Sequence, residues 1–257
     1  MMSGKALAVI TGGSSGIGYQ LARIAVEEGY PLVICAHGDK LDQAADQLRR
    51  LGGEVEALRA DLSTRHGVEA LWSHLEGREI ALFFANAGLA LGDPFVAQEW
   101  DDIAERIDLN VKQTTSMIHK VGRVMRAQGH GRILVSGSIA GQVPGPCNAV
   151  YNATKAYVNG LAWALADEFR ENGVTITCLM PGPVDTPIYD KGLEDTVLHD
   201  MPKIDPAGVA RTGWDAMMEG KVDVVSDPAS RLISLFSGVT PKAITTRLHE
   251  LGAKRRK

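Results

Sequence analysis

Tyr151 and Lys155 stand four apart in the segment Val150-Tyr151-Asn152-Ala153-Thr154-Lys155. On a helix that spacing puts both side chains on one face. A phenol with an ordinary pKa of about 10 is a poor base at neutral pH. A neighbouring ammonium stabilises the phenolate and lowers that value; a drop of roughly 3 units takes about 4 kcal/mol of differential interaction. Ser138 ends a strand-like run, Arg132–Ser138, and residues 139–148 return the chain to the Tyr151 helix. A serine hydroxyl placed there can hold a carbonyl oxygen that a tyrosine protonates. A serine at a strand end also serves as a turn or helix cap. Together the three residues suit acid–base chemistry at a carbonyl or an alcohol.

A second cluster suits an anion. The run Thr11-Gly12-Gly13-Ser14-Ser15-Gly16-Ile17-Gly18 follows apolar Ala6–Ile10 and precedes a helix-like stretch, Tyr19–Glu28. Gly12 takes the tight turn, Gly16 lets backbone approach a pyrophosphate, and Gly18 lets helix pack on strand. Free N–H groups and the helix dipole then face the phosphates. The spacing is G-x-x-x-G-x-G rather than G-x-G-x-x-G, and alone it also reads as a structural turn.

Strands and helices alternate around these residues. Strands are expected at Leu7–Thr11, Leu32–Ala36, Val55–Ala60, Ala81–Asn86, Arg132–Ser138, Val174–Leu179 and, weakly, Val222–Val225. Helices are expected near 17–28, 40–51, 66–75, 98–128 and 149–171. Runs such as Leu32-Val33-Ile34-Cys35 are apolar throughout, as when both faces of a strand are covered. The pattern predicts an α/β fold: a Rossmann-type doubly wound parallel sheet of about seven strands with helices on both faces. With no long polar linker, residues 1–257 read as one domain. Residues 187–202 look like an insertion, and the chain after it is less regular. Ligands of such sheets bind beyond the carboxyl ends of the strands: here Thr11, Ala36, Asp61, Asn86, Ser138 and the turn Pro181-Gly182-Pro183.

Composition narrows the classes. At 257 residues and 45% hydrophobic, the chain can bury a sizeable core. An aromatic content of 5% and a net charge of -4 argue against a nucleic-acid surface. The basic run Lys254-Arg255-Arg256-Lys257 reads as solvated. Three scattered cysteines, with Cys35 and Cys178 in apolar runs, fit neither a disulfide framework nor a zinc site. Seven histidines without ligand spacing suggest no metal. No apolar run reaches the length of a membrane span, and the start of the chain has no signal-peptide pattern. A soluble, cytoplasmic protein is expected. Serine hydrolysis is disfavoured, because there is no Gly-x-Ser-x-Gly elbow.

Thr11-Gly12-x-x-x-Gly16-Ile17-Gly18, Asp61, Asn86-Ala87-Gly88, Asn110, Ser138, Tyr151-x-x-x-Lys155 and Pro181-Gly182-Pro183-Val184-x-Thr186 occur in that order. The set resembles the short-chain dehydrogenase/reductase family over about residues 5–188. The resemblance implies a nicotinamide-dependent oxidoreductase of carbonyls and secondary alcohols. It implies that Tyr151 is the general acid or base and that Lys155 lowers its pKa and holds the nicotinamide ribose. Ser138 would orient substrate, and Asn110 would bind a water relaying protons from Lys155. Gly12, Ser14, Ser15, Gly16, Ile17 and Gly18 would serve the cofactor phosphates and ribose, Asp61 with Leu62 the adenine, and Asn86, Ala87 and Gly88 the adenosine side. Pro181, Gly182, Val184 and Thr186 would fix the nicotinamide. Each has a plainer reading. Asn110 could accommodate a helix kink, Asp61 could start the next helix, and Thr186, before Pro187, could be a turn residue.

Ala36, at the end of the second strand, stands where NAD-preferring relatives carry Asp, and His37 where NADP-preferring ones often carry Arg. A neutral Ala36 leaves room for a 2′-phosphate that an acid would repel. Lys40 would assist; Ser15 stands at a loop position often basic in NADP enzymes. NADP(H) is favoured over NAD(H). Tyr189, Leu193, Val197 and Met201, with Leu198, make an apolar stripe that either packs on the core or folds over substrate as a lid at 186–204. Gln142, Val143, Cys147 and Asn148 would border the substrate, a small carbonyl or alcohol with an apolar portion. The family's usual Val-Asp-Gly-Gly-like close is missing, so residues 205–257 read as a divergent extension. The long helices resemble those that pair subunits, which implies a homodimer or homotetramer. The rival reading is a catalytically silent nicotinamide-binding sensor, against which the intact Ser138, Tyr151 and Lys155 set argues.

Overall fold

β1 (Leu7–Thr11) is five consecutive buried residues, so it must sit in the middle of a covered sheet. The computed structural model, which describes residues 5–90, 92–189 and 202–237, places it there. The parallel sheet runs β3 (Val55–Arg59), β2 (Leu32–Ala36), β1, β4 (Ile80–Ala85), β5 (Gly131–Ser136), β6 (Val174–Met180), β7 (Asp223–Val225). The order reverses direction between β1 and β4, which opens a crevice at their carboxyl ends. β4 and β5 stop earlier than the apolar pattern suggests. Asn86 N–H and Gly137 N–H bond the carbonyls of Phe84 and Val135, two residues back, at 3.0 Å each. Those tight turns end β4 and β5 and lift Asn86 and Ser138 out of the ladder.

Helices cover both faces. On one side lie α1 (Gly16–Glu27), α2 (Lys40–Arg50) and α7 (Pro206–Met218); on the other, α3 (Arg65–Leu75), α5 (Thr114–Gln128) and α6 (Ala149–Arg170). α7 belongs to the stretch whose pattern reads as less regular. Asp205 caps it through Ala207 N–H at 3.0 Å, and Pro206 follows at its first turn. Its Trp214 stacks on Phe84 of β4 with centroids 5.7 Å apart, so α7 is part of the core.

The expected helix 98–128 is interrupted. α4 (Trp100–Ile107) passes into a wide π turn, Asp108–Gln113, before α5. The hydroxyls of Thr114 and Thr115 donate to Leu109 O (3.2 Å) and Val111 O (2.7 Å), meeting carbonyls that the wider turn displaces. The last described helix is α8 (Pro228–Ser237). No helix among the described residues is long and apolar enough to cross a membrane. Leu193, Val197, Leu198 and Met201 of the expected lid stripe lie outside the described residues.

Candidate active site

The crevice holds a cavity of about 690 Å³ that runs from the glycine turn to Tyr151. At one end are Gly12, Ser14, Ser15, Gly16 and Ile17. Gly12 and Gly16 have φ of +69° and +53°, the left-handed region that favours glycine. Ser15 caps α1 by position but gives its side chain to no first-turn N–H, and that turn carries no acid. These N–H groups are thus left for a ligand anion. Gly18 lies outside the cavity. A Cβ there would stand 2.2 Å from Gly12 O, so its bareness serves helix–strand packing.

Thr11 and Asn86 lock the strand ends together. Thr11 Oγ1 donates to Phe84 O (3.1 Å) and accepts from the N–H groups of Asn86 (3.0 Å) and Ala87 (3.1 Å). Asn86 Nδ2 donates to Thr11 O (3.1 Å) and Gly12 O (3.3 Å), and its Oδ1 accepts from Ser136 Oγ (3.0 Å). Asn86, Ala87 and Gly88 line the middle of the cavity.

At the far end Ser138, Tyr151 and Lys155 come together. Lys155 is buried, and its Nζ donates to Ser136 O at 2.6 Å. Nζ lies 5.8 Å from the Tyr151 ring centroid. Burial pulls the Lys155 pKa down to about 8, with the nearby Cys178 opposing slightly; at pH 7 the ammonium keeps its charge. Ser138 caps the short 3-10 turn Ile139–Gln142 by accepting from Ala140 N–H at 3.1 Å. The capping reading and the position at the cavity wall therefore hold together. Asn110, in the π turn, is buried. Its Nδ2 donates to Leu89 O (2.8 Å) and Thr154 Oγ1 (3.1 Å), and its Oδ1 accepts from Leu89 N–H (2.9 Å). Gly88 separates it from the lysine: a Cβ there would stand 3.3 Å from Asn110 Oδ1 and 3.5 Å from Lys155 Nζ.

The turn after β6 closes the remaining wall with Pro181, Gly182, Val184 and Thr186. Pro181 O accepts from Ile139 N–H (3.1 Å), and Val184 pairs with Ile204 through bonds of 2.8 and 2.9 Å on either side. Thr186 reaches the glycine turn, its Cγ2 2.8 Å from where a Gly16 Cβ would be.

Other expected residues stand elsewhere. Gln142 and Cys147 lie outside the cavity lining. Gln142 Nε2 faces Met180 Sδ at 3.2 Å, and Cys147, with φ +61°, uses its carbonyl to accept from Asp93 N–H. Val143 and Asn148 do border the cavity. His37 and Asp61 sit at the ends of β2 and β3, beyond the lining, both exposed. Leu62 packs in the core. Against the desolvation that raises it, hydrogen bonds from Ser63 and the nearby His37 hold the Asp61 carboxyl below its ordinary pKa. The cap of α3 is Thr64, which accepts from Gly67 N–H.

Two residues emerge only from the structure. Asn159, 1% exposed and one turn beyond Lys155, grips the Ser138 backbone: Nδ2 donates to Ser138 O (2.9 Å) and Oδ1 accepts from Ser138 N–H (3.3 Å). Arg59 pairs in register with Ala36. Its guanidinium donates to Gly38 O (2.9 Å) and Asp42 Oδ2 (2.6 Å), and reaches His37 O (3.4 Å) and Asp39 Oδ1 (3.5 Å). Asp227, just before α8, and Ala229, Ser230 and Ile233 on it also line the cavity.

The family model for short chain dehydrogenases matches residues 6–196. The chain is 31% identical to the oxidoreductase UcpA of Salmonella typhimurium over 187 residues, 71% of each chain. A short-chain dehydrogenase from Sphingobium yanoikuyae in complex with NADPH superposes with TM-score 0.82 at 27% identity, covering 91% of this chain and 93% of that one. A short chain dehydrogenase/reductase from Burkholderia phymatum in complex with NAD gives TM-score 0.80 at 26% identity, covering 91% and 94%. A parallel sheet with a phosphate-type turn at its switch point, a buried lysine beside a tyrosine, and these likenesses agree: the chain belongs to the short-chain dehydrogenase family and is an oxidoreductase of carbonyl and alcohol groups that uses a nicotinamide dinucleotide.

Proposed function

We propose that this protein interconverts aldehydes or ketones and their alcohols, on substrates with an apolar body, with NADP(H) preferred to NAD(H). The observation that carries the reading is the Lys155 ammonium 5.8 Å from the Tyr151 ring centroid, in one cavity with the glycine turn. The residues present fit a dinucleotide: an N–H-rich turn free of side-chain caps at one end and an acid–base pair at the other. When bound, the nicotinamide supplies or takes up the hydride.

The chain's own residues manage the proton. Lys155, held by Ser136 O, keeps a positive charge beside the Tyr151 phenol and favours its phenolate. Tyr151 Oη thus gives a proton to the substrate oxygen in reduction and takes one in oxidation. Ser138 Oγ holds that oxygen in place. A water between Asn110 Oδ1 and Lys155 Nζ, which both approach Gly88, would return protons from solvent. Leu89, Val143, Ile188, Ile204 and Ile233 give the cavity apolar walls, and among the described residues its charged lining is Lys155 and Asp227. That supports a neutral, apolar substrate.

The cofactor preference rests on Ala36, His37 and Arg59. A carboxylate at position 36 would repel a 2′-phosphate, whereas Arg59 brings to the same corner a cation that a 2′-phosphate would share with Asp42 and Asp39. The exposed apolar side chains Trp100, Ile107, Tyr157 and Trp163 on α4 and α6 support a homodimer or homotetramer through these helices. The free thiols Cys35, Cys147 and Cys178 support a cytoplasmic setting. The test is a panel of apolar ketones and aldehydes followed by loss of NADPH absorbance, repeated with NADH. Turnover with a higher kcat/KM for NADPH supports the proposal. An equal or reversed ratio refutes the preference, and no turnover of any carbonyl or alcohol refutes the activity.

A further inference from the structure

Two polar side chains with no part in the proton path border the cavity where α8 begins, Asp227 and Ser230. Asp227 caps the helix: its Oδ1 accepts from Ser230 N–H at 2.8 Å, and its backbone carbonyl accepts from Arg231 N–H at 3.0 Å. The cap takes one carboxylate oxygen. The other, Oδ2, lies 3.5 Å from Ser226 Oγ, at the outer limit of a hydrogen bond. Ser230 is 2% exposed, and its hydroxyl makes no hydrogen bond among the described residues. Ser230 Oγ and Asp227 Oδ2 converge on one point: a Cβ on Gly182 would stand 2.2 Å from the first and 3.0 Å from the second. Gly182 lines the same cavity and follows Pro181, whose carbonyl lies 3.5 Å from Ser138 Oγ. The pair therefore sits one residue along the same turn from the group that holds the substrate oxygen.

We infer that Asp227 and Ser230 form a subsite for a second, uncharged hydroxyl, carried by the substrate in addition to the carbonyl or alcohol that reacts; that the bearer is a substrate rests on the proposed activity. A buried hydroxyl without a partner is costly until a ligand meets it, and the neighbouring carboxylate oxygen has lone pairs to spare. A hydroxyl serves both, because it donates and accepts: its proton goes to Asp227 Oδ2, and its oxygen takes the proton of Ser230 Oγ. An ammonium satisfies the carboxylate but accepts nothing from Ser230, and it shares the cavity with the Lys155 cation. A carboxylate or phosphate is repelled by Asp227. A methyl group leaves both side chains unmet.

The test is a series of straight-chain 2-ketones of increasing length that end in methyl, hydroxymethyl, aminomethyl or carboxylate. Calorimetry reads their binding to the full chain in the presence of the oxidised cofactor, where no reduction can occur, and loss of NADPH absorbance reads their reduction. At the length that spans the two groups, the hydroxyl-ended ketone should bind and react about tenfold better than the methyl-ended one, and the carboxylate-ended one should come last. Asp227→Asn keeps a capping oxygen and should relieve the penalty on the carboxylate, relative to the methyl, by at least about tenfold. Ser230→Ala should bring the hydroxyl preference within about twofold while the carboxylate stays last; it carries the test alone if the Asn variant folds poorly. A hydroxyl preference absent at every length, or unchanged in Ser230→Ala, overturns the inference, as does a stronger preference for the amine. So does an Asp227→Asn variant that alters cofactor affinity and leaves the order of ketones as it was, which would assign Asp227 to the cofactor. Binding is read without turnover, so a protein that prefers the hydroxyl-ended ketone yet reduces none of the series would refute the activity and leave the subsite standing.

Discussion

Replacing Asn159 with Leu should loosen Ser138 without touching the cavity. The leucine fills about the same volume but makes neither bond to the Ser138 backbone. The Ser138 N–H is then stranded beside a side chain that is 1% exposed, while the Ser138 C=O keeps its bond from Gly141 N–H at 3.1 Å. One stranded buried group destabilises the fold by about 1–3 kcal/mol. In a chain of this size that lowers Tm by roughly 2–12 °C. Part of the loss falls on catalysis, because Ser138 Oγ is aimed by this backbone. A misplacement worth about 1.4–2.8 kcal/mol in the transition state lowers kcat roughly 10–100-fold. Cofactor affinity should stay within about threefold, since the glycine turn is anchored separately by Thr11 and Asn86. Steady-state kinetics well below the variant's Tm, cofactor titration by fluorescence and thermal unfolding read the three effects apart. A variant of unchanged kcat would refute the positioning role, and one of lower stability but unchanged kcat would reduce Asn159 to packing.

Arg59→Ala should lower kcat/KM with NADPH about tenfold while leaving NADH within about twofold; equal losses with both cofactors would assign Arg59 to loop support. Lys155→Met should abolish turnover and, without cofactor, be no less stable than the parent at pH 7. The lysine's ordinary pKa of 10.5 falls to about 8 in the fold. Below about pH 8 both folded and unfolded chains carry the ammonium, and the fold bears the full desolvation cost. Between about 8 and 10.5 the unfolded chain binds more protons, so stability rises with pH. Denaturation at pH 7 and pH 9.5 should therefore show the variant's advantage shrinking; an advantage that grows would contradict the burial argument. Trp100→Glu with Ile107→Asp should yield a smaller species by light scattering, and an unchanged mass would move the subunit contact off α4.

The readable parts of the sequence were those with a local cause. β1, the glycine turn and α1 follow from an apolar run meeting residues that need left-handed backbone, and Tyr151 and Lys155 follow from helical spacing. Asn159 was hidden because a polar residue on a helix ordinarily faces water, and its partner lies 21 residues away in sequence. Arg59 depends on the parallel register that sets it against Ala36. The π turn changes hydrogen bonding without changing composition. α7 was obscured because Ala210, Gly213 and Ala216, small residues that let it lie close to the sheet, interleave with Val209, Trp214 and Met217 on its contact face and dilute the apolar pattern.

The central claim is that the Tyr151 hydroxyl carries the proton, and Tyr151→Phe tests it directly. With the cofactor Kd measured by fluorescence and turnover by NADPH absorbance, kcat should fall by about 10²–10⁴ while the Kd stays within a few-fold. A phenylalanine variant that reduces carbonyls at the parent's rate would contradict the account.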